Sequence, residues 1–161
     1  MNWSFARRCP LIAFAAAVAC STAAASRVAA QTPARHTTAG ALHLHPDSLH
    51  WQPFAPAPGV QVAVLTGHVD STGTFAIRLR VPAGARLPAH WHPRREYVTL
   101  LSGSFLVGRG GGAGCTPSVP MAAGTFAVAP PQMVHCGQAQ AESVLQITGE
   151  GPFQFMLVAQ P

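Results

Sequence analysis

Apolar and polar positions alternate most cleanly where Phe75, Ile77, Leu79 and Val81 are separated by Ala76, Arg78 and Arg80. A period of two puts one row of side chains on a dry face and the other on a wet one, as in a half-buried β-strand. Runs of strand length, rich in β-branched or aromatic residues, lie at Val60–Leu65, Thr74–Val81, Tyr97–Leu101, Ser104–Val107, Thr125–Ala129, Ser143–Thr148 and Phe153–Ala159. Between them stand turn clusters such as Asp70-Ser71-Thr72-Gly73, Pro82-Ala83-Gly84, Ser102-Gly103 and Gly149-Glu150-Gly151-Pro152. Beyond residue 30 no segment has helical periodicity. So many short strands in about 100 residues predict an all-β single domain, a sandwich or a barrel.

The first 30 residues have a different character. A short start ending in Arg7-Arg8, an uncharged apolar stretch from Leu11 to Ala19, and a run of small residues follow the order of a secretory signal. The apolar stretch falls well short of the ~20 residues a membrane-spanning helix needs, so an integral membrane protein is not expected. Cleavage fits after Ala25 or after Ala30, and the second is preferred. Ala17-Val18-Ala19-Cys20 is a degenerate lipobox that would instead make Cys20 a lipidated terminus. Arg7-Arg8 offers a weak twin-arginine alternative. The expected organisation is a signal peptide at 1–30, an N-terminal leader at 31–58 and a barrel domain at 59–161, with a periplasmic or secreted location.

The charge count changes meaning once that segment is set apart. The 161-residue chain has a formal net charge of +5, but Arg7, Arg8 and Arg27 lie in the signal. The rest carries seven Arg against five acids, a net charge of +2. Those Arg are scattered, with only Arg94 and Arg95 adjacent, so no stripe exists to follow a phosphate backbone. Nucleic acid is not an expected partner. At 48% hydrophobic residues, the composition also excludes a disordered chain.

Cys9 and Cys20 would leave with the signal, so the mature chain keeps Cys115 and Cys136. In an oxidising compartment an isolated pair is expected to form a disulfide. Gly108 to Gly114 is phosphate-loop-like in composition only, since the Lys-Ser/Thr of a P-loop is missing, and it reads as a hairpin loop.

The chemistry is concentrated in four residues. His90 and His92, separated by Trp91, present two imidazoles on one face of a strand. Pro93 bends or ends that strand, which brings Glu96 round from the start of the next run. His135 arrives from a distant strand. Three imidazoles and a carboxylate suit one divalent transition metal, Fe, Mn, Zn, Ni or Co, with a coordination position open. A carboxylate between apolar strands needs a partner, and Arg94 or Arg95 is the alternative to a metal.

Gly84-x5-His90-x-His92-x3-Glu96-x6-Gly103 resembles at every position the first motif of the cupin superfamily, and Gly124-x5-Pro130 with His135 five residues on resembles the second. Gln132 stands where the family usually has Gly, and Ala139 where it often has Asn. Within the superfamily the chain is similar to small single-domain secreted bacterial cupins. The resemblance implies a jelly-roll β-barrel with His90, His92, Glu96 and His135 at its mouth. It also implies a homodimer and dioxygenase-, decarboxylase- or isomerase-like chemistry on a small molecule. A non-catalytic metal-dependent binding or sensing module is the alternative. No second acid or base near the motifs identifies a catalytic residue.

Gln146, in an otherwise apolar strand, is a candidate pocket residue or an outward-facing one. Tyr97 should point away from the site. Trp51, Phe153, Phe155 and Met156 are expected to pack in the core or at the rim, and His43, His45 and His50 to lie on the surface.

Overall fold

A computed structural model describes residues 40–159. The expected signal, both cleavage sites, Cys20 and the first part of the leader lie outside the described residues. The described chain is all-β. Its strands are β1 (Gln52–Pro53), β2 (Gln61–Thr66), β3 (Gly73–Val81), β4 (Arg86–Trp91), β5 (Glu96–Ser102), β6 (Ser104–Arg109), β7 (Val119–Ala122), β8 (Phe126–Ala129), β9 (His135–Ala139), β10 (Ser143–Gly151) and β11 (Met156–Leu157). Only single 3-10 turns, at Pro46–Ser48 and Gly112–Gly114, interrupt the pattern. No helix among the described residues is long and apolar enough to cross a membrane.

The strands form two antiparallel sheets, one ordered β1-β2-β3-β10-β5-β8 and the other β11-β4-β9-β6-β7. Hydrogen bonding keeps them as two sheets around one core, the double-sheet arrangement of jelly rolls, in line with the expected jelly roll; among the described residues the sheets are not joined into one closed barrel. The alternation read from β3 holds: Phe75, Ile77, Leu79 and Val81 are buried. On the neighbouring strand Leu145 faces Leu79 and Ile147 faces Ile77. These side chains join Leu87, Phe105 and Met121 of the second sheet in one cluster, so burial of apolar area holds the sheets face to face.

The second half of the leader belongs to this packing. Gln52 and Pro53 pair with Val62 and Gln61, and Ala57 is fully buried. Phe153–Ala159, expected as a full strand, contributes only the two residues of β11, preceded by an extended strap.

Three strands have weak local signals. β7 (VPMA) and β9 (HCGQA) lack β-branched runs, and β4 (RLPAHW) contains a proline although it lies between β11 and β9. The β4–β9 register shifts between Leu87 and His90. Pro88 therefore falls at an irregularity, where the hydrogen bond it cannot make is not required.

Candidate metal centre

The register shift in β4 also aims the first histidine. Ala89 and His90 are both buried, a break in alternation that turns the His90 ring inward. β4 ends at Trp91, and His92 follows it immediately, with the two imidazole centroids 4.9 Å apart. Glu96 opens β5, held between Ala129 of β8 and Gly149 of β10. His135 opens β9 directly opposite His90. All four side chains are buried, with exposures of 2, 4, 4 and 8% for His90, His92, Glu96 and His135. The constellation inferred from spacing thus comes together in space.

Each imidazole is fixed through the same ring atom. Nδ1 of His90 lies 2.7 Å from the Pro88 carbonyl, Nδ1 of His92 2.7 Å from that of Gln154, and Nδ1 of His135 2.9 Å from that of Met133. A carbonyl can only accept, so each Nδ1 carries the proton. In the neutral ring that leaves the Nε2 lone pair free, the tautomer control common around metal-ligating histidines.

The free nitrogens converge. One ring nitrogen from each of His90, His92 and His135 falls within 4.8 Å of the others, a set able to share one ion. Glu96 leans on two of them, its carboxylate 3.2 Å from Nε2 of His135 and 3.7 Å from Nε2 of His92. Neither contact is aligned as a hydrogen bond, so Nε2 of His92 and of His135 are buried without a partner. Orphaned buried nitrogens are costly, and a metal bound through them removes the cost. The residues therefore fit one divalent ion. Neither Arg94 nor Arg95 forms an ion pair with Glu96; both are exposed.

Electrostatics divides the histidines. Burial, reinforced by His135, lowers His90 to about 2. Burial also lowers His92, against the opposing pull of Glu96. His135 is desolvated too, but the adjacent Glu96 carboxylate prevails and raises it above the ordinary imidazole value.

A cavity of about 70 Å³ opens beside His90, Glu96 and His135, walled by Leu87, Val98, Phe105, Met121 and Ile147. Gln146 is not part of it. β10 places Leu145 and Ile147 inward and Gln146 outward, where its Oε1 accepts from Nε of Arg78 at 3.2 Å, so the outward-facing alternative is correct. Tyr97 points away from the site, near Phe126. His43, His45 and His50 are exposed, and His45 serves the short 3-10 turn by accepting from the Asp47 N–H.

Four features escaped the sequence reading. Phe155 stacks on the His90 ring at 3.6 Å and 14°, and Phe153 on His92 at 4.6 Å and 22°. Gln154 between them supplies the carbonyl that holds His92. Arg109 lies at the cavity wall. No local motif signals these roles, although the aromatic pair was visible as Phe153-x-Phe155. The expected Cys115–Cys136 disulfide is present, with Cα atoms 6.1 Å apart, and it anchors the glycine-rich loop next to His135.

Comparison with known proteins agrees with this fold. The sequence profile of the ChrR cupin-like domain matches residues 39–154. No curated protein matches the chain. Among solved structures the chain is similar to KdgF from Halomonas sp., with 22% identity and a TM-score of 0.53 over 66% of this chain and 91% of that one. It is also similar to the polyketide cyclase RemF from Streptomyces resistomycificus, with 12% identity and a TM-score of 0.59 over 74% and 86%. A chain of the complex of Rhodobacter sphaeroides SigE with the anti-sigma ChrR shares 21% identity and a TM-score of 0.51 over 65% and 50%. At these identities the likeness is one of fold.

Proposed function

The chain belongs to the ChrR cupin-like domain family, and from that membership and the site geometry we propose an exported, metal-dependent enzyme acting on a small organic molecule. The observation that carries the proposal is the convergence of His90, His92 and His135, two of their Nε2 atoms lacking a hydrogen-bond partner, beside a small apolar cavity lined by His90, Glu96 and His135. His90, His92, Glu96 and His135 hold one divalent transition ion. When bound, the ion supplies Lewis-acid stabilisation of negative charge on a ligand oxygen. The chain's own contribution is to fix three imidazoles in one tautomer and to surround them with apolar walls. Such walls exclude bulk water and strengthen every charge interaction inside. The size of the cavity restricts the part of the ligand that enters to a few non-hydrogen atoms. Dioxygenase-, decarboxylase- and isomerase-like reactions all fit that description.

Export is supported by the signal-like order of residues 1–30 and by the Cys115–Cys136 disulfide, which suits an oxidising compartment. A homodimer is supported by the edge strand β8, whose outward Phe126 and Val128 are exposed.

A second reading, a non-catalytic metal-dependent sensing or binding module, is favoured by the match to a domain named for ChrR and by the likeness to a chain of the SigE–ChrR complex. The two readings differ at the metal. A solvent molecule on the ion that small anions displace supports the enzyme, and a closed coordination shell supports the module.

Elemental analysis of the protein, purified without chelator or affinity tag, tests the site itself. Wild type should carry close to one transition ion per chain and the His90→Ala and His135→Ala variants little. Equal metal content in all three overturns the assignment.

A further inference from the structure

We propose that Arg109 makes this cavity selective for a small organic carboxylate, an inference that rests on the metal-binding reading and adds the ligand's charge to it. Along β6 the period of two sends Phe105, Val107 and Arg109 to the inner face, and all three line the cavity. Phe105 is buried and Val107 half-buried, while Arg109 is exposed, so the guanidinium belongs to the mouth. Its register partner on β9 is His135, and side chains paired directly across strands are near neighbours. The cation therefore stands beside a proposed metal ligand.

No protein group among the described residues claims that cation. Among the described residues no carboxylate lies within ion-pair distance of Arg109, and its side chain makes no hydrogen bond. The other ionisable side chains on the cavity, His90, Glu96 and His135, all belong to the proposed metal set. With a divalent ion in place the three imidazoles are neutral and Glu96 cancels one of its two charges. The centre is then cationic, and Arg109 adds a second positive charge at the entrance. An anion is drawn to such a cavity and a cation repelled. The planar, permanently charged guanidinium matches a carboxylate with two parallel N–H donors. A ligand that gives one oxygen to the ion and a carboxylate to Arg109 satisfies both ends of the cavity, while its carbon skeleton meets the apolar wall.

The test uses the full chain loaded with cobalt(II), whose visible absorption reports a change of ligand, titrated with acetate and with its neutral counterpart acetamide. Metal content is measured on the same samples. R109Q should weaken acetate binding roughly ten- to a hundredfold and leave acetamide within about twofold. R109K keeps the charge but loses the fork, and should fall between R109Q and wild type. Circular dichroism checks that the variants fold. Equal acetate affinity in wild type and R109Q at full cobalt occupancy overturns the assignment to Arg109 alone. Failure of wild type to take up cobalt overturns the metal reading, and this inference with it.

Discussion

The backbone N–H of Gln132 donates to the carbonyl of His92 over 2.8 Å, tying the turn that leads to His135 to the first pair of histidines. That turn closes with Met133 N–H on the Pro130 carbonyl. Gln132 has φ 64°, the one positive φ of a non-glycine residue among those described. Pro131 followed by a residue of positive φ is the signature of a type II turn. The usual family glycine is absent, yet the geometry it serves is kept at a conformational cost.

Replacing Gln132 by Gly should therefore stabilise the protein. The left-handed conformation costs an L-residue roughly 1–2 kcal/mol, and the greater freedom of glycine in the unfolded chain takes back about 0.4–1 kcal/mol. A net gain of about 0.5–1 kcal/mol is expected, read as a higher urea midpoint with metal content unchanged. A lower midpoint would mean that the Gln132 side chain does more than occupy the turn.

The aromatic strap should matter for metal binding rather than for the fold. Phe155 covers the His90 ring and meets Phe54 edge-on at 5.3 Å, so it limits how that imidazole can turn. Phe155→Ala is expected to weaken metal binding about 10- to 100-fold, the usual effect of losing a group that orients a ligand. Phe155→Tyr should restore it. Competition with a coloured chelator measures both.

Acid should destabilise the chelator-stripped protein in a defined window. His90 and His92 titrate lower folded than unfolded, so below about pH 6.5 the unfolded chain binds protons that the folded one does not. Stability then falls with pH, each group contributing up to about 1.4 kcal/mol per pH unit. His135 has the opposite sign: its raised value adds stability below its folded pKa, which is lost as pH rises through that value. Together the three place maximum stability near pH 6.5. Urea midpoints from pH 5 to 8 should show that maximum, and His90→Gln should flatten its acid side.

The disulfide closes a loop between Cys115 and Cys136, 21 positions apart. Loop-closure entropy puts its contribution at about 3 kcal/mol. A Cys115→Ser, Cys136→Ser double variant should lose about that much in urea unfolding. Wild type denatured without reductant should show no thiol on the mature chain.

The sequence by itself determined the all-β class and the composition of the site. A period of two is a local property, and it exposed β3 and β10 directly. The histidine and carboxylate spacing was enough to nominate His90, His92, Glu96 and His135, because the motif records which residues a shared centre requires. The Cys115–Cys136 pair followed from elimination once the first two cysteines were set aside. Only the tertiary structure decided the rest. β4, β7 and β9 are held by neighbouring strands rather than by their own propensities. Whether Gln146 faces in or out could not be told from period two alone; the placing of Leu145 and Ile147 in the core turned it outward to Arg78. The carbonyls of Pro88, Met133 and Gln154, the rings of Phe153 and Phe155, and Arg109 beside His135 acquire their roles through pairing across the sheet and through the return of the terminal strap. The longest-range of those contacts, Phe155 on His90 and the Gln154 carbonyl on His92, join residues more than 60 positions apart. A spacing pattern can name ligands, but it carries no information on which distant backbone atoms will orient them.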